Sequence, residues 1–316
     1  MSGLTKWVFL FLSVTLFVLG MLVNVFIVLV NGSSWVKSKK ISLSDFIITN
    51  LALSRIVQLW ILLFDCVKKI LLSKLLFNGV LLQVTDIFWT FTNHLSIWLA
   101  TCLGVFYCLK IANFSHPTFL WLKWRVARVV VWMLLGGLLL SCGDVMSLIH
   151  EFKIYYVLQG ANNSGNVTEH FRELKNEYEV TRVLGTLWKL LPLIVCLASY
   201  ILLILSLGKH TRQMQQNRTS LSDPSTEAHK RAIKMVLSFF LLLLFYFLAY
   251  LLTSFQYFLQ GTVMTELITE VSAMFYPACH SCILILGNSK LKQTFVELLW
   301  CKSGHLKPGS KERFSP

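Results

Sequence analysis

Charged and polar side chains within long apolar segments are the residues of this sequence that could do chemistry. Asp86, Lys189 and Glu270 each lie among Leu, Ile, Phe and Val, and Asn93 follows Trp89 by four residues. An ionised group in such surroundings must face a partner or a polar cavity. An indole ring can stack on an aromatic or cationic ligand, an amide offers a donor and an acceptor, and a carboxylate can pair with a basic amine. This set favours recognition of a small organic molecule.

Signatures of catalysis and of metal binding are absent from the sequence. It contains no H-E-x-x-H, no G-x-S-x-G and no paired aspartates within an apolar run. Cys279 and Cys282 match C-x-x-C, but they lie within an apolar run without a second ligand pair, which favours buried thiols. None of the eight cysteines lies between residues 149 and 183, so no disulfide framework is implied. We expect no enzyme activity, no cofactor and no metal.

Seven apolar segments must position these residues. Of 316 residues, 55% are hydrophobic and 14% charged, and the mean hydropathy is +0.65, which indicates a polytopic membrane protein. Runs of spanning length occur at about 7–30, 43–64, 81–109, 126–149, 183–207, 232–259 and 263–287. The predicted fold class is an all-α membrane protein, a seven-transmembrane-helix bundle (residues 1–287) with a cytoplasmic tail (288–316).

The distribution of basic residues predicts the orientation of the bundle. The net charge is +14, but Lys and Arg occur in short clusters between apolar runs, which favours anionic lipid and a cytoplasmic protein as partners over nucleic acid. Of the 29 basic residues, 18 fall on one side and 8 on the other. By the positive-inside rule the N-terminus lies outside and the C-terminus inside.

Glycosylation sequons agree with this orientation. Asn162-Asn-Ser and Asn166-Val-Thr fall in the longest outside connection, and Asn166 is the better acceptor because Thr generally serves better than Ser. The sequons at Asn31, Asn113 and Asn217 fall on the inside and are expected to be chance matches. Glycosylation is therefore predicted at Asn166 and Asn162.

The tail begins with a segment whose apolar residues share one helical face. Leu291, Phe295, Leu298 and Leu299 follow this spacing, which predicts a short amphipathic helix on the membrane surface. Cys301 at its end is a candidate for palmitoylation.

Short motifs narrow the class of seven-helix protein. They are FYCLKIANFS (106–115), LKWR (122–125), LALSR (51–55), LILSL (203–207), HKRA (229–232), HSCILILGN (280–288) and KLKQ (290–293). Together and in this order they resemble the type 2, or bitter, taste receptors, which are G-protein-coupled receptors. The alternative is another chemosensory receptor, such as a vomeronasal type 1 receptor. A transporter would show duplicated halves or interrupted helix pairs, and neither is visible.

The resemblance implies a function and a set of partners. The chain would bind small bitter compounds in an outward-opening pocket and activate gustducin or another Gi-class G protein, with phospholipase C and calcium downstream. It would be a multi-pass protein of the plasma membrane. A receptor oligomer is a further partner class that the resemblance allows.

The pocket residues are predicted from depth together with the resemblance. Trp89 lies ~12 Å below the outer start of the third run, Asn93 is one turn deeper on the same face, and Glu270 is at comparable depth in the seventh. The resemblance implies that these three contact ligand. For Trp89 the alternative is packing in a lipid-facing aromatic belt. Lys189 and Asp86, also at outer-third depth, either contact ligand or pair with other groups, and the sequence leaves both open.

Arg55 lies near the centre of the bilayer, where a charge must face the bundle. One interpretation is a polar switch that links the first, second and seventh helices through Asn24 and Ser281, as the resemblance supports. The other is a fixed structural network.

Three further residues are predicted to take part in activation. The resemblance makes Tyr246 the aromatic toggle beneath the pocket, whereas on the sequence alone it reads as a core aromatic. In the seventh run His280 precedes Ser281 where rhodopsin-like receptors have an Asn-Pro hinge, and the helix-bending proline is Pro277.

The inner side should meet the G protein. The third run ends without an Asp-Arg ion lock and continues into a basic, aromatic, loop-like segment, while further basic residues flank the fifth and sixth runs. Such a surface suits an acidic partner helix, or else these charges only set the topology. The predicted G-protein-facing residues are Tyr107, Lys110, Lys123, Arg125, His210, His229 and Lys230.

Overall fold

A computed structural model of the chain describes residues 3–71, 79–112, 114–163, 169–216, 224–256 and 263–304. Within these residues the regular structure is entirely helical. The helices are α1 (Gly3–Ser38), α2 (Leu43–Leu71), α3 (Gly79–Ile111), α4 (Pro117–Trp124), α5 (Val126–Asn163), α6 (Glu169–Gln216), α7 (Pro224–Gln256), α8 (Val263–Gly287) and α9 (Ser289–Gly304).

The long helices form one bundle, and each predicted apolar run overlaps one of them. In the described residues α1, α2, α3, α5, α6 and α8 are long and apolar enough to cross a membrane, and α7 contributes the shorter apolar stretch Lys234–Ala249. The fold is thus the predicted all-α membrane bundle. Helix α3 packs against α2, α5 and α6, and it is the most buried of the six described spans. The helix that carries Trp89 and Asn93 is therefore central.

Short polar connections turn the chain at the inner ends of the helices. After α1, Lys39 takes a left-handed conformation (φ 51°), and its amide donates to the carbonyl of Trp35 at 2.8 Å. The Ser42 hydroxyl then accepts from the amide of Asp45 at 3.0 Å, which caps the start of α2. Between α8 and α9, the side-chain oxygen of Asn288 accepts from the amide of Leu291 at 3.2 Å in the same way.

The connection after α3 lacks regular structure at residues 112 and 114–116 and then forms helix α4, so the expectation of a loop-like segment was wrong for residues 117–124. Pro117 begins α4 because its fixed φ suits the first helical turn and its missing N–H has no partner to lose there. The Lys123 ammonium donates to the carbonyl of Ala112 at 2.8 Å. A cation at the C-terminal end of α3 is favourable because the carbonyls there lack helical partners. Helix α4 thus closes the end of α3.

Helix α9 is attached to the bundle by apolar and polar contacts. Leu291 is fully buried, and the Phe295 ring lies 5.6 Å from that of Phe26 in α1. The Lys290 ammonium is 3.1 Å from Oδ1 of Asn31 and 3.3 Å from a carboxylate oxygen of Asp45. Lys290 therefore joins α9 to both α1 and α2.

We expect Lys290→Ala to lower the thermal unfolding midpoint of the purified receptor by about 1–3 °C, because half-exposed ion pairs contribute little. A thermal shift assay in detergent measures this. Lys292→Ala, two residues further along and on the exposed side of α9, serves as the control and should leave the midpoint unchanged. Equal midpoints for the two variants would show that the contacts of Lys290 do not hold α9.

Candidate functional site

Asn93 is a junction between three helices. Its side-chain oxygen accepts a hydrogen bond from the amide nitrogen of Gln58 in α2 at 3.0 Å and another from the hydroxyl of Tyr246 in α7 at 2.8 Å. The toggle candidate and one of the pocket candidates are therefore in direct contact. A molecule that donates a hydrogen bond to this oxygen would compete with the two interhelical hydrogen bonds.

Trp89 lies one turn outward of Asn93, among apolar side chains. It is half-buried and packs on a cluster formed by Leu16, Leu59, Leu62 and Met274 from α1, α2 and α8. This packing is within the bundle and argues against a purely lipid-facing ring.

Glu270 is 92% buried in α8 and lies one turn before the fully buried Met274, on the same face of the helix. Because Trp89 packs on the cluster that contains Met274, the indole and this carboxylate belong to neighbouring parts of the bundle. The three residues predicted to contact ligand are thus distributed around the interface of α2, α3, α7 and α8.

An aromatic stack leads inward from Tyr246. This residue is 5% exposed, and its ring centroid is 4.5 Å from that of Tyr276 in α8. The guanidinium carbon of Arg55 lies 5.7 Å from the centre of the same Tyr276 ring. Tyr276 therefore touches both the toggle candidate and the buried arginine.

Arg55, Ser281 and Asn24 form one chain of hydrogen bonds across three helices. Nη1 of Arg55 donates to the Ser281 hydroxyl at 2.8 Å, and that hydroxyl donates to the side-chain oxygen of Asn24 at 2.8 Å. The Asn24 amide donates to the carbonyl of Gly20 at 2.8 Å. Nε and Nη2 of Arg55 have no hydrogen-bond partner within the described residues. The guanidinium is thus fully buried, with a hydrogen bond to Ser281 in α8.

His280 continues the contacts toward the inner half of the bundle. It is almost completely buried, and its ring lies 5.5 Å from that of Tyr276 and 4.7 Å from that of Phe239 in α7. Phe239 stacks on Tyr200 of α6 at 6.3 Å. Pro277 lies within α8, one turn before Ser281. Aromatic rings therefore connect α6, α7 and α8 below the Asn93 junction.

Lys189 and Asp86 belong to contacts other than the two hydrogen bonds of Asn93. The Lys189 ammonium of α6 pairs with Asp144 of α5 at 3.6 Å, and Asp144 is buried. Asp86 is exposed and lines a cavity at the outer ends of α3, α5 and α6. The sequence left open whether Lys189 contacts ligand or pairs with another group, and the structure shows an ion pair with Asp144.

The inner-face candidates make contacts within their own segments. The Lys110 ammonium lies 5.3 Å from the centre of the Phe106 ring, and the guanidinium carbon of Arg125 lies 4.6 Å from that of Trp121. Tyr107 is half-buried beside Phe106, and Lys123 donates to the end of α3 as described above. Lys110 and Arg125 are exposed, so their charges remain available at the inner end.

Several predicted residues lie outside what the structure describes. Asn166 is outside the described residues. The described part also leaves out the side chains of Asn162, His210, His229, Lys230 and Cys301.

Three further residues, which the sequence analysis did not name, make contacts with the candidate residues: Gln58 with Asn93, Tyr276 with Tyr246, and Asp144 with Lys189. Gln58 and Asp144 each carried a signal, because a polar side chain in the middle of an apolar run seldom faces lipid. Tyr276 carried none, since one aromatic among many does not stand out in such a run. The side-chain oxygen of Gln58 is buried without a hydrogen-bond partner among the described residues, beside Asn93.

Comparison with known proteins identifies the family. The family model for taste receptor proteins (TAS2R) matches residues 1–303. Taste receptor type 2 member 3 of Homo sapiens is 67% identical over 311 residues, which covers 98% of each chain. The proteins of the same name from Mus musculus and Rattus norvegicus are 55% and 56% identical over 98% and 100% of each chain. These matches favour the type 2 receptors over the vomeronasal alternative. The chain therefore belongs to the type 2, or bitter, taste receptor family of G-protein-coupled receptors.

Proposed function

We propose that this bitter taste receptor binds its agonists between α3, α7 and α8, with Trp89, Asn93 and Glu270 as contacts, and that agonists act by changing the Asn93–Tyr246 contact. The observation that carries the proposal is the shared acceptor: one oxygen of Asn93 receives both the Tyr246 hydroxyl and the Gln58 amide. A ligand donor here competes with the Tyr246 hydroxyl for the oxygen of Asn93, and a ligand acceptor competes with that oxygen for the Tyr246 hydroxyl. Glu270 would pair with the basic amine of a cationic agonist.

The path from the pocket to the inner half runs through Tyr276. A shift of Tyr246 changes its contact with Tyr276 at 4.5 Å, and Tyr276 touches both Arg55 and His280. Packed rings and hydrogen-bonded groups have few alternative arrangements. A small displacement of Tyr246 therefore favours either the inactive or the active packing of the helices. Agonist binding then shifts the population toward the state it binds more tightly. Arg55, Ser281 and Asn24 would link that change to α1 and α2.

At the inner end the exposed Lys110 and Arg125 suit an acidic partner surface. By family membership the partner is a G protein; gustducin or another Gi-class protein, with phospholipase C and calcium downstream, is the specific proposal.

The plasma membrane is the proposed location. The bundle is the proposed first domain, residues 1–287, followed by the tail, 288–316. Self-association of the receptor is a further proposal, which crosslinking in cell membranes tests.

A calcium-mobilisation screen of bitter compounds tests the proposed function. Cells would carry the receptor together with a gustducin-type chimeric G protein, and flow cytometry would establish surface expression. We expect some compounds to raise calcium, and Asn93→Ala to shift their half-maximal concentration by about tenfold, as the loss of a hydrogen bond to a buried group does. Responses unchanged in Trp89→Ala, Asn93→Ala and Glu270→Gln would contradict the pocket.

Glycosylation provides an independent test of orientation. We expect the receptor to carry one or two N-linked glycans that peptide N-glycosidase removes, with a gel shift of about 2–3 kDa for each glycan on an outside sequon. Asn166→Gln should remove most of this shift. Asn217→Gln is the matched control, because its sequon also ends in Thr but lies on the predicted inner side. Loss of the glycan in Asn217→Gln would reverse the topology.

A further inference from the structure

A cavity opens at the outer ends of α3, α5 and α6, away from the Asn93 junction. Its volume is about 270 Å³, and it is lined on α3 by Leu82, Gln83 and Asp86. Asp86 is two turns outward of Asn93, roughly 10 Å along the helix axis. The cavity volume is just below that of drug-sized pockets, so it suits a small molecule.

Two carboxylates line the cavity. Asp86 comes from α3, and Glu151 faces it from α5. The protein cations close enough to interact with Glu151 include Lys189 and Arg182 of α6. Each of these has a contact of its own: Lys189 pairs with Asp144 at 3.6 Å, and Arg182 lies 5.7 Å from the centre of the Tyr178 ring. Among the described residues that line the cavity, the charged side chains are the two carboxylates of Asp86 and Glu151.

Aromatic rings make up most of the remaining wall. Tyr155, Tyr156 and Phe152 of α5 and Tyr178 of α6 line the cavity. The centroids of Tyr155 and Tyr178 are 6.5 Å apart with their planes tilted by 41°, and those of Tyr155 and Tyr156 are 6.0 Å apart. Tyr155 and Tyr156 are each 49% exposed, so their faces are accessible. Because the Arg182 guanidinium carbon lies 5.7 Å from the centre of the Tyr178 ring, the accessible ring faces are those of Tyr155 and Tyr156.

The geometry points to a second binding site in this outer cavity, for a small organic ammonium cation held by Asp86, Glu151 and the tyrosine rings. Electron-rich ring faces attract cations, and quaternary ammonium groups are bound in aromatic surroundings of this kind. The negative charge of the two carboxylates favours binding of a cation over a neutral molecule of the same shape. This site lies beyond the proposed central pocket and requires only that this end of the bundle faces outside.

The test uses choline and its neutral isostere 3,3-dimethylbutan-1-ol as probes. The full-length receptor would be purified in maltoside detergent without phosphatidylcholine, because that lipid carries the same head group. Saturation-transfer difference NMR follows the methyl signal of each probe in a titration. We expect choline to bind and the isostere to bind at least about fivefold more weakly, as expected for a cation–ring and cation–carboxylate site.

Matched variants locate the bound probe. Asp86→Asn, Glu151→Gln and Tyr155→Leu should each weaken choline binding by about three- to tenfold, and Tyr155→Phe, which keeps the ring, should retain it. Trp89→Ala in the central pocket should leave choline binding unchanged, and circular dichroism verifies that each variant is folded. Equal binding of the two probes would overturn the proposal. Loss of choline binding in Trp89→Ala, together with retained binding in Tyr155→Leu, would also overturn the proposal, because it would locate choline in the central pocket. The measurement does not depend on signalling, so a failure of the calcium screen would leave it intact.

Discussion

Arg55→Ala is expected to reduce the receptor at the cell surface at least severalfold and to lower its thermal unfolding midpoint. The side chain is 0% exposed, and its removal leaves a cavity between α1, α2 and α8. The Ser281 hydroxyl also loses the hydrogen bond that it accepts from Arg55. Truncation of a large buried side chain costs about 3 kcal/mol or more, and loss of the hydrogen bond from the guanidinium to Ser281 adds about 1 kcal/mol. Surface labelling and a thermal shift assay measure the two effects.

Arg55→Met separates the two roles of the residue. Methionine has similar length without charge, so it fills the space while it removes the hydrogen bond to Ser281. If the network is a fixed structural one, Arg55→Met and Ser281→Ala should both lower the unfolding midpoint and leave basal activity unchanged. If it is a switch, both should reach the surface and raise calcium without agonist. Normal expression, stability and basal activity in Arg55→Ala would refute both interpretations.

Tyr246→Phe is expected to change agonist efficacy without loss of the folded receptor. The substitution removes only the hydroxyl that donates to Asn93 at 2.8 Å, and the ring keeps its contact with Tyr276. Tyr246→Ala also removes the ring, which is 5% exposed, so it should abolish the response and cost about 3–5 kcal/mol of stability. Dose–response curves in the calcium assay, normalised to surface receptor, measure both.

A double-mutant cycle tests whether the two residues act as a pair. Tyr246→Phe and Asn93→Leu should be non-additive by about 0.5–3 kcal/mol in the half-maximal concentration, as expected for residues in contact. Phe245→Leu is the control on the same helix, because Phe245 is 44% exposed and packs on Phe275 instead. It should resemble the wild type. Additive effects of the pair would show that the hydrogen bond has no part in activation.

The sequence by itself determined the class of protein and much of the frame. The length and spacing of the apolar runs predict spanning helices because hydrophobicity is a local property of the chain. The basic residues predict orientation for the same reason, and the short motifs identify the family. Asn24, Arg55 and Ser281 could be named because a polar group within the membrane requires partners. Helix α4 was missed because a proline after polar residues, here Ser115 and His116, also occurs at turns.

Only the tertiary structure decided which partners these groups have. Tyr246 and Asn93 are 153 residues apart, and Ser281 and Asn24 are 257 apart, so their contact depends on which faces of α1, α3, α7 and α8 pack together. The pairing of Lys189 with Asp144 and the outer cavity between α3, α5 and α6 are of the same kind. The spacing along one helix defines its faces, but the identity of the facing helix is a property of the packed bundle.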